Sequence, residues 1–331
     1  MLIVTNFRAF PAVWQAASGL EGRTEFASAR SEFFRIRSKA AGDEVIFLVN
    51  CDPRLVLELA AAFLLRPKAR TKLISVDLVL REPRSLAERL SRPLKRLLFS
   101  RMVDHHIHYF RDLRGLERVF GISPARSSFV PFKVNLPVSE RETTGEGSYV
   151  LCFGRSLRDF NTFFEAMDRL SLPGAIAKPD FALLGEHRAR FTRTVDQLPR
   201  NISVMDDDGS AAAQIRLLSG AKLVVLPILR ESLVASGIST CLNAMRLARC
   251  VIASEGPGTS DVFDTEIITV PPESPAALAN AIQTAWDDDR LRREKAEAGL
   301  AYAVKAGGEK ELYQRIIDCV AKHAGNQPQQ R

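Results

Sequence analysis

The chain has 331 residues, 46% hydrophobic and 26% charged, with 46 Lys and Arg against 39 Asp and Glu. That length suits two domains, and the composition is that of a globular chain. No apolar run approaches the roughly 20 residues of a bilayer-spanning helix.

Met1 to Thr5 reads as a short apolar start, without the basic leader of a secretory signal. The five cysteines, Cys51, Cys152, Cys241, Cys250 and Cys319, fall in no CxxC or Cys/His spacing, which fits a reducing compartment. Buried parallel strands are expected at Glu44–Val49 and Lys72–Val76, with a helix from Pro53 to Leu65 between them. Shorter runs at Ile107–Phe110 and Ser128–Phe132 continue the alternation. Strands alternating with helices imply βα units and a parallel sheet.

The excess charge is concentrated: Arg81 to Arg126 holds eleven Lys/Arg against five Asp/Glu, six of the chain's seven net charges. Within it, Ser85–Arg101 sets Leu86, Leu90, Leu94, Leu97 and Leu98 against Arg89, Arg92, Lys95, Arg96 and Arg101, with Pro93 expected to interrupt the helix. Two readings stand: docking on an anionic membrane, or an ordinary helix with a solvated basic face. Downstream, Asp104-His105-His106-Ile107-His108 contains a His-x-x-His spacing. Its residues lie on or before a strand whose faces alternate, which favours strand or interface histidines over a metal site.

The polar, glycine-bearing stretch 139–148 reads as a linker between a first domain, 1–138, and a second, 149–308. A C-terminal helix is expected at 309–324, and a disordered tail at 325–331. Strands in the second half are expected at Tyr149–Phe153, Asp180–Leu184, Ile202–Met205, Leu223–Leu226, Val251–Ala253 and Ile267–Val270. Helices are expected at Asp159–Leu170, Ala211–Leu218, Thr240–Leu247 and Ser274–Asp287. In such sheets ligands sit beyond the carboxyl ends of the strands, so the loops after them carry the chemistry.

Three of those loops stand out. After the first strand comes Gly154-Arg155-Ser156-Leu157-Arg158, where glycine allows close backbone approach and two guanidinium forks suit phosphate. The bland reading is two surface arginines. Next, Glu231 to Thr240 leads through Gly237 into a helix bearing Asn243, a start suited to an anion, with Ser239 or Thr240 as its cap. The third, Ser254 to Asp261, is a glycine–proline turn.

In this order the three segments resemble the donor-binding domain of GT-B glycosyltransferases, closest to retaining family 4. Gly154-Arg155 and Arg158 match that family's diphosphate cations, Leu198-Pro199-Arg200-Asn201-Ile202 its LPxNV lead, and Asn243 to Ser254 its EAMAxGxPVIAS run. The family's paired glutamates fall on Ala235 and Asn243, and its Gly and Pro on Ala248 and Cys250. The first half matches only in rhythm.

The resemblance implies an α/β fold of two Rossmann-like domains facing across a cleft. It implies a retaining hexosyltransferase-like activity with a nucleotide-diphosphate sugar as donor, without tightly bound cofactor or metal. The acceptor would be a glycan or lipid-linked molecule in surface polysaccharide assembly, met in the cytoplasm or at the inner membrane face, with no nucleic acid involved. The implied donor site comprises Gly154, Arg155, Arg158, Gly185, Glu231, Gly237, Ser239, Thr240 and Asn243, with Arg155, Arg158 and the acceptor-side Asp77 in catalysis. Arg155 and Arg158 are both expected to face the crevice near the start of the helix that carries Asn243, with Arg158 the more solvent-screened. The changed glutamates keep open a rival reading, a non-catalytic GT-B module that binds a nucleotide sugar or a partner.

Overall fold

The computed structural model describes the chain except residues 41, 66, 67, 69, 138–145 and 325–331. Most of the linker expected at 139–148, and all of the tail expected at 325–331, lie outside the described residues. The chain divides into two units, Met1–Pro131 together with the chain from Lys310 onward, and Phe132–Glu309.

The first unit runs β1 (Leu2–Thr5), β2 (Val13–Gln15), β3 (Glu21–Phe26), α1 (Arg30–Lys39), β4 (Val45–Asn50), α2 (Pro53–Leu65), β5 (Thr71–Val76), α3 (Leu86–Leu97), β6 (His105–His108), α4 (Arg114–Phe120) and β7 (Ser127–Phe129). The strand order is β2-β3-β1-β4-β5-β6-β7, with β2 antiparallel to β3 and every other pair parallel. Leu2, Ile3 and Val4 are fully buried, so the apolar start of the chain is a strand inside this sheet. Val45–Val49 is buried at every position, as a strand covered on both faces must be.

The histidine run forms β6 itself, two residues earlier than expected, and successive side chains alternate faces. His106 Nε2 donates to the Phe99 carbonyl at 3.2 Å, which leaves Nδ1 to accept from the Ser75 hydroxyl at 2.7 Å. Burial pushes His105 down to about 3, His106 to about 4 and His108 to about 3, so all three are neutral imidazoles at ordinary pH. Neither ring nitrogen of His108 has a hydrogen-bond partner among the described residues. The last helix of the chain, Glu309–Ala324, returns to this unit and stacks His323 on His105 at 3.6 Å with ring planes 25° apart. The potential ligand atoms of His105, Cys319 and His323 lie within 4.8 Å of one another. Lone pairs of imidazole lie in the ring plane, so two nearly parallel rings do not converge on one ion. The group is a packing contact.

Pro93 does not interrupt α3. The helix starts on a Ser85–Glu88 capping box, carries Pro93 inside it and passes into one π-turn at Leu98–Met102. Leu98 is buried, unlike the four leucines before it. Arg92 and Arg96 reach the last carbonyls of α4, so they are not part of a freely solvated basic face.

The second unit contains β8 (Tyr149–Cys152), α5 (Phe160–Met167), β9 (Gly174–Ala177), α6 (Phe181–Glu186), β10 (Ile202–Met205), α7 (Ala211–Ser219), β11 (Ala221–Leu226), α8 (Ile238–Arg246), β12 (Cys250–Ser254), β13 (Ile268–Val270), α9 (Pro275–Asp287) and α10 (Asp289–Ala306). The final helix, Glu309–Ala324, is α11. All six strands are parallel, in the order β10-β9-β8-β11-β12-β13. Counted within the unit this is 3-2-1-4-5-6, the doubly wound order whose switch point falls between β8 and β11. Phe163, Phe164, Met167, Ile252 and Ile282 are fully buried in its core.

One strand was misplaced. Asp180–Leu184 is not a strand: Asp180 caps α6, its side chain accepting from the Leu183 N–H at 3.0 Å. The strand is β9, a short Gly-Ala-Ile-Ala run with one β-branched residue and little sequence signal.

Candidate donor site

At the switch point the backbone leaves β8 through Gly154, at φ 104°, and enters α8 through Gly237, at φ 97°. Both are left-handed turns that favour glycine. The segment between Gly154 and α5 is fastened from two sides. Leu157 N–H donates to His187 O at 3.0 Å and Asp159 N–H to Pro227 O at 2.9 Å, while Arg158 O accepts from Arg190 N–H at 2.8 Å. Asp159 is fully buried, caps α5 through Thr162 and lies 3.5 Å from Arg190.

These fastenings turn the Arg158 side chain inward. It is 1% exposed, and its Nε and Nη1 have no hydrogen-bond partner among the described residues. Its guanidinium fills the space beside both glycines: a Cβ would stand 2.5 Å from Nη2 at Gly154 and 2.9 Å from it at Gly237. Burial lowers its pKa, with the Cys152 and Cys241 thiols nearby opposing the shift. An arginine does not discharge at any ordinary pH, so this is a buried cation without a paired carboxylate among the described residues.

Gly237 is the N-cap of α8 and offers no side-chain cap, so neither Ser239 nor Thr240 caps the helix as expected. The first N–H groups of α8 have no side-chain cap among the described residues, a setting that suits an anion. Ser239 instead accepts from Asn135 Nδ2.

Beyond the carboxyl ends of β8, β9 and β10 lies an open cavity of about 730 Å³. Gly154, Arg155, Ser239 and Thr240 line it, together with Lys178, Asp180, His187, Asp207 and Asp208. The last five were not singled out in the sequence; their signal was their position after β9 and β10, obscured by the misplaced strand. Arg155 is exposed and Arg158 buried, the reverse of the expected order.

Arg158 and Gly237 lie behind Gly154 and do not line the cavity, and other expected donor residues lie elsewhere. Gly185 sits exposed in α6 and does not line the cavity. Neither does Glu231, which is half-buried. Asn243 is 3% exposed, away from the lining, and its Oδ1 accepts the Asn135 N–H at 3.0 Å. The Ser254–Asp261 turn is structural: Ser254 Oγ accepts from Ile228 N–H at 3.0 Å, and Gly258 packs against Ala235.

Asp77 belongs to the first unit, just beyond β5, where it adopts φ 46°. Burial raises its carboxyl to about 6, although the thiol of Cys51 at 3.7 Å pulls the other way. Cys51 follows β4, also at positive φ, and its thiol is pushed far above its usual value by burial and by Asp77.

The family described as Glycosyl transferases group 1 matches residues 147–288. A glycosyltransferase from Rickettsia africae shares 12% identity over 92% of this chain and 86% of its own, with a TM-score of 0.66. Anabaena HepE, crystallised with UDP and glucose, gives 14%, 90%, 86% and 0.65 in the same terms. Sucrose-phosphate synthase from Thermosynechococcus elongatus gives 14%, 97%, 88% and 0.62. No curated protein matches this sequence. Residues 147–288 match the group 1 glycosyltransferase family, and the whole chain shares the GT-B fold of these structures.

Proposed function

We propose that this chain transfers a glycosyl group from a nucleoside-diphosphate sugar to a hydroxyl acceptor, with the diphosphate held at Arg158 and the start of α8. The observation that carries the reading is the buried guanidinium of Arg158, whose Nε and Nη1 lack partners among the described residues. A charge in that state costs several kcal/mol unless an anion joins it. A diphosphate, approaching past two glycines towards the free N–H groups of α8, supplies that anion. HepE binds UDP and UDP-glucose, so a uridine donor is the first candidate.

In the reaction the bond from the sugar's anomeric carbon to the diphosphate oxygen breaks, and a bond to the acceptor oxygen forms. Arg158 and the α8 N–H groups stabilise the charge that grows on the departing diphosphate. The acceptor's proton passes to the leaving phosphate. Arg155, on the cavity rim, steers and screens the donor. Asp77 is proposed to serve the acceptor from the first unit. Retention of configuration, a glycan or lipid-linked acceptor and a role in surface polysaccharide assembly complete the proposal, on the family resemblance alone.

The test is calorimetry with a panel of nucleoside diphosphates. The parent binds at least one of them, and Arg158→Met lowers that affinity at least thirtyfold, about 2–5 kcal/mol for loss of a desolvated charge contact. Equal binding by Arg158→Met, or no binding by the parent, overturns the reading.

A further inference from the structure

A helix on a globular surface ordinarily buries its apolar stripe and gives its charges to water. Helix α3 does the opposite. Leu86 is 73% exposed, Leu90 74%, Leu94 57% and Leu97 47%, and no residue of α3 is buried. At 100° per residue these four leucines share an arc of roughly 80°. Arg92 and Arg96 lie on nearly the opposite side and hold the helix to its unit. Arg92 donates to Val119 O and Arg118 O, both at 3.1 Å, and Arg96 to Glu117 O and Arg118 O, both at 2.9 Å. These are the last carbonyls of α4, which ends on Gly121, so two cations serve as its C-terminal cap. The polar face anchors α3 and the apolar face is offered outward.

We infer that the Leu86–Leu90–Leu94–Leu97 face of α3 docks on an anionic lipid surface. The charge around the stripe selects that occupant. Arg89 and Arg101 are exposed beside it, Glu88 is turned back into the helix cap, and the surrounding segment carries six excess positive charges. A second copy of the chain would meet this face through a symmetric contact, setting the same cations against each other. A bilayer accepts leucine side chains in any register and gathers anionic headgroups beneath the flanking arginines. No helix among the described residues is long and apolar enough to cross a membrane, so the contact lies in the interface plane. The inference deepens the proposed function and rests on it only for where the acceptor is met.

The experiment is sedimentation of the full chain with vesicles of neutral phosphatidylcholine, with and without 30% phosphatidylserine. Binding is expected to the anionic vesicles, to weaken steeply with salt, and to fall roughly tenfold or more in Leu90→Ser/Leu94→Ser and again in Arg89→Gln/Arg101→Gln. Both variants keep the parent's melting temperature and its nucleoside-diphosphate binding, so failure of donor binding is read separately. Arg92→Gln/Arg96→Gln is expected to melt earlier by loosening α4. Equal binding to neutral vesicles, no binding to either, or a dimer in solution dispersed by Leu90→Ser/Leu94→Ser overturns the inference.

Discussion

Each unit buries nitrogen-bearing side chains, the first within a parallel strand and the second just beyond the end of one, and they solve the problem differently. In the first, His105, His106 and His108 enter the sheet and lose their protons to do so. In the second, Arg158 is buried as deeply and has no such escape, because a guanidinium stays charged at every pH at which the protein folds. Burial alone therefore does not mark a site. A buried group that can neutralise itself is a packing element, and one that cannot is waiting for a counter-charge.

The histidines give the comparison its largest test. Their folded pKa values lie below the unfolded value near 6.5, so their contribution to stability is complete above about pH 6.5 and is lost as pH falls. With all three uncharged in the fold at pH 5, that loss is on the order of 5 kcal/mol. Urea titrations between pH 7.5 and 5 measure it. His108→Leu, which removes two buried ring nitrogens without partners among the described residues, should be more stable than the parent and lose about a third of the slope. A flat profile would mean that the histidines are charged or solvated in the fold.

Arg158→Met is next. It should lose donor affinity as described above while melting at or above the parent's temperature, since an unpaired charge leaves the interior. A lower melting temperature without donor binding in the parent would make Arg158 a structural cation and erase the contrast with the histidines.

Asp77 sharpens it from the other direction. Its folded value of about 6 lies above the unfolded value near 3.9, so its contribution favours the fold below pH 3.9 and is lost as pH rises to about 6. At neutral pH the ionised carboxylate costs about 2–3 kcal/mol, a cost that Asp77→Asn relieves. If Asp77 serves the acceptor, that variant is more stable yet transfers sugar at least tenfold more slowly. Unchanged kcat leaves Asp77 with a packing role.

The smallest effect is expected at Arg155. Exposed on the rim, it is screened by water, and Arg155→Ala should weaken donor binding less than tenfold and mainly at low salt. A loss equal to that of Arg158→Met would return the leading role to Arg155.

Local signals made parts of both units legible. Ile202–Met205 and Pro53–Leu65 announce themselves by periodicity and flanking proline, and Gly154 by its place after a strong apolar run. What failed was long-range. Phe181 to Leu184 is apolar enough for a strand, and only the capping of α6 by Asp180 decides otherwise. The order of Arg155 and Arg158 depends on bonds to Pro227, His187 and Arg190, 29 to 69 residues away, which local pattern cannot register. In the first unit, β3 carries Glu21, Arg23 and Glu25 near the sheet edge and has no apolar rhythm to read.

The guanidinium seat of Arg158 also constrains how this sequence can vary. Gly154 and Gly237 are 83 residues apart, yet a Cβ at either would stand within 2.5 or 2.9 Å of the same Nη2 atom. A methyl group at either glycine displaces the arginine, and loss of the arginine opens space that neither glycine fills. Three distant positions therefore behave as one locus, at which the effect of a substitution depends on the state of the other two. A variant library sampling them one at a time would report three intolerant sites and miss the combinations in which a smaller cation and larger neighbours rebuild the seat together.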